Sequence, residues 1–249
     1  MTASSARTES VKCEFTVATD VPALEPGTIH VWLLELDGSY CSVVRDWLSR
    51  EELERGAAFH FPSHRNEFII SRGVLRFLLG RYVDAVPTSL DIGTRESGKP
   101  YLTNTAVNDV RFNLAHSGEY AIFAFCIGEE IGIDIERNQA SMIDEGLIEQ
   151  CRATPEKWAF DLAQPFDKVP FFFDLWARKE AYLKLIGDGL SISPNQISLS
   201  SLDSECEIIG DEGIRFVNMP ASEGYSAALA TKHRPREVLF YKLGRDLLK

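Results

Sequence analysis

The stretch "EIGIDIERNQ", residues 130–139, contains the strand from which the fold and a candidate site can be predicted. Three isoleucines alternate there with a glycine and two carboxylates, and a period of two residues predicts a β-strand. Asp134 and Glu136 then lie on one face with their Cβ atoms roughly 7 Å apart. At an effective dielectric of about 20, their repulsion is on the order of 2 kcal/mol. We therefore expect a positive charge between the two carboxylates, unless water separates them.

The size and composition of the chain limit its class. Its 249 residues are enough for one large domain or two small ones. With 45% hydrophobic and 25% charged residues it has the balance of a globular protein, which excludes the disordered and fibrous classes. Its formal net charge of -11 argues against nonspecific binding to nucleic acids or anionic membranes. We therefore expect no nucleic-acid partner and no membrane partner.

Cysteine usage and the N-terminus bear on the cellular compartment. The five cysteines are widely spaced and form no C-x-x-C pair, which suits a reducing compartment rather than a disulfide framework or a zinc site. The N-terminal "MTASSARTES" is followed by no apolar signal core, and the longest apolar run, at 121–127, is too short to span a bilayer. We expect a cytoplasmic protein, and we expect a monomer.

The order of predicted elements is repeated along the chain. A strand, helical segments and further strands occur in residues 1–127, after a loose lead-in at 1–26, and again in residues 128–249. The long amphipathic helices of the two parts are predicted at 64–85 and 171–186. The similar runs "GEYAIFAF" and "EGYSAALA" hold comparable places in them. We predict an α+β fold made of two similar halves, the second of which carries the metal site.

The second informative stretch is "FFFDLWARKEAYLKLIGDGL", residues 171–190, which has the apolar stripe of an amphipathic helix. Glu180 and Lys184 are four residues apart and lie side by side on this helix, and Gly187 suits its C-terminal end. One interpretation of Glu180 and Lys184 is an exposed helical salt bridge, which stabilises the helix by about 0.3–0.5 kcal/mol. One interpretation of Asp134 and Glu136 is that they lie at the solvated end of a strand. Together, the three carboxylates match the oxygen ligands that Mg²⁺ prefers.

Basic residues elsewhere in the chain suggest a bound anion. His116 lies in a turn between two strand-like runs, Lys99 lies in a Gly-Pro turn, and Arg72 lies beside two further arginines on the helix predicted at 64–85. Each also has a structural interpretation, as a structural histidine, a solvated loop lysine and a snorkelling arginine. Their combination with the carboxylates indicates a polyanion held by Arg, Lys and His next to a carboxylate-bound metal.

Three motifs resemble the Sfp type of 4'-phosphopantetheinyl transferase: "GIDIE" at 132–136, "WARKEAYLK" at 176–184 and "FNLAHS" at 112–117. The second matches the family pattern W-x-x-K-E-A-x-x-K, and the third is close to the family pattern F-N-x-S-H-S. The turn "GKP" and the helix "RNEFIISRGVLR" add support, and all these stretches occur in the family's order. The resemblance implies two halves related by a pseudo-twofold axis, each with a small, mostly antiparallel sheet and a long helix.

The resemblance also implies an enzyme and its reaction. Such enzymes use Mg²⁺ to transfer the 4'-phosphopantetheine arm of coenzyme A to a serine of an apo acyl, peptidyl or aryl carrier protein, and they release adenosine 3',5'-bisphosphate. Two alternatives stay open. One is another Mg²⁺-dependent phosphodiesterase or phosphotransferase, and the other is a non-catalytic relative that binds carrier proteins or coenzyme A.

The motif matches imply roles for residues of the second half. Asp134, Glu136 and Glu180 are expected to hold Mg²⁺ against the pyrophosphate of coenzyme A. Asp134, Glu180 and Lys184 are the expected catalytic residues, with Glu180 as the base, directly or through water, for the carrier serine. Lys179 and Lys184 are expected to contact the phosphates.

Residues of the first half are expected to bind the nucleotide. By resemblance, His116 binds the 3'-phosphate, and Lys99 and Arg72 lie near the nucleotide. Ala115 stands where the family usually has serine, so a hydroxyl contact near the nucleotide is missing. Arg55 is the one equivalent of the basic residues that some members carry before the long helix.

The docking surface for the carrier is expected beside the N-terminal part of the helix that bears Glu180, because the carrier serine must reach this residue. The preceding stretch, "FDLAQPFDKVPFFF" at 160–173, has five phenylalanines around Pro165 and Pro170, which are expected to interrupt the helical pattern. Either all five fill the core, or Phe166 between the prolines is exposed and contacts an apolar surface of the carrier.

Overall fold

A computed structural model describes residues 14–103, 109–164, 167–187, 192–202, 206–211, 213–217 and 219–248. The fold is α+β, as predicted, with sheets of five, three and two strands. In these ranges no helix has both the length and the apolar character that crossing a bilayer requires. The strands are β1 (Thr16–Ala18), β2 (Thr28–Glu35), β3 (Ile92–Thr94), β4 (Pro100–Leu102), β5 (Val110–Ser117), β6 (Tyr120–Ile127), β7 (Ile131–Arg137), β8 (Arg215–Val217), β9 (Tyr225–Thr231) and β10 (Glu237–Leu243). The helices are α1 (Cys41–Val44), α2 (Arg50–Ala57), α3 (Pro62–Val83), α4 (Glu145–Cys151), α5 (Thr154–Leu162) and α6 (Lys168–Ile186).

The five-stranded sheet contains strands from both predicted halves. Its order is β1-β10-β2-β6-β5, so β10 from the end of the chain lies between two strands from the beginning. β10 pairs parallel with β1 and β2, whereas β6 pairs antiparallel with β2 and β5, so the sheet is mixed where a mostly antiparallel one was expected. The division after residue 127 stays a prediction, but this sheet runs across it. β1 lies in the segment 1–26 that we predicted to be loose.

The three-stranded sheet carries the strand predicted from "GIDIE". Both β7 and β8 pair antiparallel with β9. Helix α6 packs across β7 and β9, and its buried Phe172 and Leu175 share an apolar core with Ala228 and Ala230 of β9. The two sequence features that carry the charged residues are therefore packed against each other.

The phenylalanine-rich stretch before and within α6 belongs largely to this core. Phe160, Phe172 and Phe173 are buried, as expected if these aromatics fill the core. Pro170 does not interrupt the helix, because it lies in the first turn of α6, where the N–H groups have no intrahelical acceptor. Phe166, the predicted carrier contact, lies outside the described residues.

Strand β7 is held on its other edge by side chains of β5. The side-chain oxygen of Asn113 accepts a hydrogen bond from the Ile133 N–H (2.9 Å). The hydroxyl oxygen of Ser117 accepts one from the Arg137 N–H (3.1 Å). These bonds satisfy backbone donors that would otherwise lack a strand partner, and they fix β5, with its "FNLAHS" motif, beside β7.

The closest backbone approach between β7 and α6 is at Gly132. A Cβ atom at this position would overlap the carbonyl oxygen of Ala181 and the backbone nitrogen of Leu185. Glycine is therefore required for the strand to lie directly on the helix. The helix ends as predicted at Gly187, which caps it in the left-handed conformation with φ of 76°.

Replacing Gly132 by alanine should lower the free energy of unfolding by about 3 kcal/mol, because the new methyl group meets backbone that cannot rotate away. Urea unfolding of Gly132→Ala against the parent protein measures this loss. Gly244→Ala is the matched control, since its Cβ would stand at an ordinary 3.6 Å from Cγ1 of Val17. Equal stability of the two variants would contradict the close packing of β7 on α6.

Candidate functional site

A cluster of four charged residues lies where β7 faces α6: Asp134, Glu136, Glu180 and Lys184. We call this group the charged cluster. Asp134 is buried, with 4% of its surface exposed, and the Lys184 ammonium donates a hydrogen bond to its Oδ1 atom (2.6 Å). The Oδ2 atom of Asp134 is buried and has no hydrogen-bond partner among the described residues. The positive charge expected beside the strand carboxylates is thus provided by Lys184.

Burial makes the charged cluster unfavourable for negative charge. Desolvation first, and then the Asp134 charge, raise the pKa of Glu136 to about 7. Desolvation and Asp134 also raise the pKa of Glu180. For Asp134 itself, desolvation raises the pKa although Lys184 acts in the opposite direction. An additional cation at this place would therefore be strongly favoured over the ionised carboxylates alone.

Two polar residues that sequence reasoning did not assign to the site position its carboxylate strand. Ser117 donates a hydrogen bond to Oε2 of Glu136 (2.9 Å) while its oxygen accepts the β7 N–H described above. Asn113 lies four residues earlier and contacts the backbone of the same strand. Their even spacing on β5 is a sequence signal for a shared face. Ala115 lies between them and is buried in an apolar cluster with residues of β2, β6 and β7.

His116 belongs to strand β5 and not to the predicted turn, and it lies close enough to the charged cluster for Asp134 and Lys184 to act on its ring. Solvent reaches part of the side chain, yet the surrounding protein desolvates the ring enough to lower its pKa. The charges of Glu67, Lys184, Asp134 and the His64 ring also act on it. The structure therefore brings together His116 of β5, the carboxylates of β7 and the charged face of α6.

Lys99 lies at the edge of the same region. Its ammonium donates to Glu130 (2.7 Å) and to the carbonyl oxygen of Ile131 (2.9 Å). A cleft of about 220 Å³ has Lys99 and Lys184 in its wall, together with Leu183 and Gly187 of α6. The cleft is thus lined by two lysines that the resemblance assigned to coenzyme A.

Further cations beside Lys99 were not found from the sequence. Arg95 (2.5 Å) and Arg111 (3.3 Å) both contact the Glu130 carboxylate that Lys99 contacts. Desolvation raises the pKa of Glu130, but Lys99 and Arg95 outweigh it, so that the pKa is lowered overall. Three cations therefore converge on one carboxylate, which leaves the surroundings of Lys99 positive. Because Arg111 belongs to β5 and Arg95 to the turn after β3, no local sequence pattern links them.

Arg72 lies on α3 and its side chain contacts α2. Its Nε donates to Glu52 (3.0 Å), the third residue of α2, which also accepts from Nε of Arg76 (2.5 Å). Arg76 donates in addition to the carbonyl oxygen of Pro87 (2.8 Å). Glu52 completes a capping box with Ser49. Arg72 therefore contributes to the packing of α2 on α3, and its expected place near the nucleotide stays a prediction.

Lys179 is also engaged inside the protein. It is completely buried, and its ammonium donates to Glu156 (2.6 Å) and to the carbonyl oxygens of Cys151 (2.7 Å) and Pro194 (3.0 Å). Glu156 in turn accepts a hydrogen bond from the Ala153 N–H (2.6 Å). Two adjacent residues of the "WARKEAYLK" motif are thus directed differently. Lys179 is directed into the protein, whereas Glu180 faces the charged cluster.

No group of three or more His, Cys, Asp or Glu residues in the described ranges is arranged so that it could hold a metal ion. In the charged cluster, Lys184 takes one oxygen of Asp134 and Ser117 takes one oxygen of Glu136. Of the predicted ligands, Asp134 and Glu136 are therefore directed toward protein donors, and Glu180 lies close enough for their charges to act on it.

Comparisons with known proteins cover most of the chain. Residues 130–230 match the family described as "4'-phosphopantetheinyl transferase superfamily", and residues 38–127 match "4'-phosphopantetheinyl transferase, N-terminal". The 4'-phosphopantetheinyl transferase HetI of Nostoc sp. is 34% identical over 166 residues, which cover 66% of this chain and 70% of that protein.

Relatives from Bacillus subtilis are similar too. A 4'-phosphopantetheinyl transferase is 27% identical over 190 residues, or 75% of this chain and 83% of that protein. The 4'-phosphopantetheinyl transferase Sfp is 27% identical over 154 residues, or 61% of this chain and 66% of that protein. The family match at residues 130–230 includes both β7 and α6, which carry the charged cluster. The chain belongs to the 4'-phosphopantetheinyl transferase superfamily.

Proposed function

We propose that this protein transfers the 4'-phosphopantetheine arm of coenzyme A to a serine of an apo acyl, peptidyl or aryl carrier protein. The observation that carries the proposal is the charged cluster, in which a buried carboxylate with an unpartnered oxygen lies beside a lysine and two further carboxylates. The names of the relatives support the same reaction. We further propose that the protein is of the Sfp type.

In this proposal the carrier serine oxygen forms a bond to the phosphorus that bears the pantetheine arm. The bridging P–O bond of the pyrophosphate breaks, and adenosine 3',5'-bisphosphate leaves with the bond's electron pair. The serine proton passes to Glu180, directly or through one water. Burial and the Asp134 charge raise the pKa of Glu180, which increases the proton affinity of this carboxylate as a base.

Lys184 is proposed to stabilise negative charge during this transfer. The side chain of Lys184 is 28% exposed and its ammonium contacts Asp134, so it can face both the strand and a phosphate in the cleft. Phosphoryl transfer depends on positioning and charge neutralisation more than on a covalent enzyme intermediate. A fixed ammonium at the cleft wall provides both.

The donor atoms of the charged cluster are of the type that a hard dication prefers, although Asp134 and Glu136 are directed to Lys184 and Ser117 in this arrangement. Asp134 offers a buried oxygen that has no partner in the part of the chain that the structure describes, and all three carboxylates have a raised pKa, which a cation would lower. We propose that Asp134, Glu136 and Glu180 hold Mg²⁺. When bound, the ion would neutralise pyrophosphate charge. Without the ion, Lys184 and Ser117 compensate the carboxylates only in part.

The nucleotide is proposed to lie on the β5 side of the cleft. His116 would meet the 3'-phosphate, and Lys99 with Arg95 and Arg111 would make its surroundings positive. Ala115 is buried. The absence of a hydroxyl at this position therefore affects the packing of β5 more than the lining of the cleft.

Several finer predictions belong to the same proposal. We propose that the halves 1–127 and 128–249 are related by a pseudo-twofold axis. Each has a short helix followed by a long one, α2 with α3 and α5 with α6, which supports the relation. A monomeric state and a cytoplasmic location stay predictions from the sequence.

The decisive experiment is to incubate the protein with Mg²⁺, coenzyme A and a panel of apo carrier proteins and to weigh the carriers. A mass gain of one phosphopantetheine arm on the carrier serine supports the proposal. Binding of a carrier or of coenzyme A without a mass gain would favour a non-catalytic relative. Hydrolysis of coenzyme A without a modified carrier would favour another phosphodiesterase.

Asp134→Asn should reduce the rate of phosphopantetheine transfer at least about 100-fold. The loss of a metal ligand should have a larger effect than the loss of a residue that only contacts a ligand. The fold should persist, because the change removes a buried charge that is only half compensated. Mass analysis of the carrier measures transfer, and thermal unfolding checks the fold. Full activity in this variant would contradict the metal assignment.

His116→Ala should discriminate less than the parent between coenzyme A and 3'-dephospho-coenzyme A, because the imidazole is the proposed partner of the 3'-phosphate. The ratio of kcat/KM for the two substrates measures this preference. His233→Ala is the control, since His233 is exposed and belongs to a different cleft. An unchanged ratio in His116→Ala would indicate that the cations around Lys99, and not His116, contact the 3'-phosphate.

Glu136→Gln should be more stable than the parent at pH 8 without metal. Burial and Asp134 raise the pKa of Glu136 to about 7, so the folded state binds more protons than the unfolded state between pH 4.5 and 7. The stability present below pH 4.5 is therefore lost as the pH rises through about 7. We expect a difference on the order of 1–2 kcal/mol at pH 8, after allowing for partial exposure, and none at pH 4.5.

At pH 8, Mg²⁺ should make the parent protein more stable than Glu136→Gln. A cation that binds the folded state raises the melting temperature, and it should do so more for the parent than for Glu136→Gln. Thermal unfolding with and without Mg²⁺ measures both effects. An equal Mg²⁺ effect on the two proteins would exclude Glu136 as a ligand.

A further inference from the structure

Lys179 occupies a central place in the "WARKEAYLK" motif, yet its side chain is directed away from the cleft into the protein. We propose that Lys179 is a positioning residue, a buried anchor that fixes the rotation of α6 and thereby the direction of Glu180. The proposal rests on the proposed function for what Glu180 does. It replaces the expectation that Lys179 contacts a phosphate of coenzyme A.

The hydrogen bonds of the ammonium leave no donor for a phosphate. A lysine ammonium has three N–H donors, and those of Lys179 are directed to Glu156 (2.6 Å), to Cys151 O (2.7 Å) and to Pro194 O (3.0 Å). The side chain is 1% exposed. To reach a phosphate, Lys179 would have to break all three bonds and leave Glu156 as an uncompensated buried charge.

Glu156 connects three segments through one carboxylate. One oxygen accepts from the Ala153 N–H (2.6 Å) and from Lys179, and the other accepts from the Leu199 N–H (2.8 Å). The start of α5, the segment after Pro194 and the middle of α6 thus meet at this residue. Removing one partner of such a buried pair is costly, because the remaining charge stays buried.

The first half contains the same set of contacts. Glu52 is the third residue of α2, as Glu156 is of α5, and the bases follow 24 residues later at Arg76 and 23 residues later at Lys179. Each base also donates to the carbonyl oxygen of a proline that begins a 3-10 turn, Pro87 for Arg76 and Pro194 for Lys179. Helix α3 carries none of the proposed metal ligands, so this set of contacts serves packing there.

Helix geometry connects the anchor to the site. Successive residues of an α-helix are separated by about 100°, so Glu180 projects from a different side than Lys179. A contact that fixes the rotation of α6 at Lys179 therefore also fixes the position of Glu180 relative to Asp134. Only a small rotation would be needed to move the carboxylate away from the carrier serine.

A double-mutant cycle with Lys179→Met and Glu156→Gln tests the proposal. For Lys179→Met we expect a lower melting temperature and a kcat at least about tenfold lower, with the KM for coenzyme A within about threefold of the parent. Adding Glu156→Gln should restore part of both losses, because no buried charge is then left uncompensated. Lys157→Met is the control for loss of a lysine, since Lys157 lies half exposed on the same helix as Glu156, and it should leave all values unchanged.

A direct phosphate contact gives the opposite pattern. Lys179→Met would then raise the KM for coenzyme A about tenfold or more at an unchanged melting temperature, and Glu156→Gln would restore nothing. This result would overturn the proposal. If Lys179→Met alone does not fold, the double variant decides in the same way: a KM for coenzyme A close to that of the parent supports the anchor, and a tenfold increase overturns it.

Failure of the proposed function would be recognised separately. If the parent protein modifies none of the carriers, the transfer reaction is contradicted, whereas the melting temperatures of the cycle still measure the anchor. Recovery of thermal stability in the double variant would then support the anchor, and strictly additive losses would overturn it.

Discussion

The contact of β7 with the backbone of α6 at Gly132 is the constraint on which the site depends. The helix atoms that a larger side chain would meet belong to Ala181 and Leu185. These residues directly follow Glu180 and Lys184 in the chain. Asp134 lies two residues beyond the glycine on the same strand, so the backbone contact determines which charged residues become neighbours. A single glycine thus sets the distance between the two motifs that otherwise lie far apart in the sequence.

The charged cluster has an electrostatic cost that the remaining structure must offset. Three carboxylates and one lysine leave an excess of negative charge, and desolvation raises the pKa of each carboxylate. The apolar core between α6 and β9 offsets this cost. Functional sites often hold like charges close together at a place where a bound ligand compensates them. The unpartnered oxygen of Asp134 is the clearest local sign of that condition.

The elements and the charged cluster could be predicted from the sequence because their signals are local. The alternation in "GIDIE" and the apolar stripe of α6 follow from the period of a strand and of a helix. The pairing of β10 with β2 could not be predicted, because about 200 residues separate them and many strands share an apolar alternation. The same limit applies to Arg95 and Arg111, which meet at Glu130 from separate elements.

The roles of Lys179 and Arg72 show a second limit of sequence reasoning. Both residues are basic and belong to motifs that resemble those of the family. A motif gives the order of residues in the chain but not the direction of each side chain. On a helix, adjacency places two side chains on different faces. Glu180 lies in the charged cluster while Lys179 pairs with Glu156 inside the protein. Which face is internal depends on where partners such as Glu52 and Glu156 lie, and their positions follow only from tertiary packing.

Strand β7 is therefore held from two directions, and both are needed for the cleft. Helix α6 lies on one face, at Gly132, and β5 contributes Asn113 and Ser117 to its free edge. Ser117 also contacts Glu136, so β5 positions a carboxylate of β7. Because β10 in addition pairs with β2 in the sheet that contains β5, strands from distant parts of the chain together position β7. The cleft with Lys99 and Lys184 in its wall lies where β5 and α6 meet.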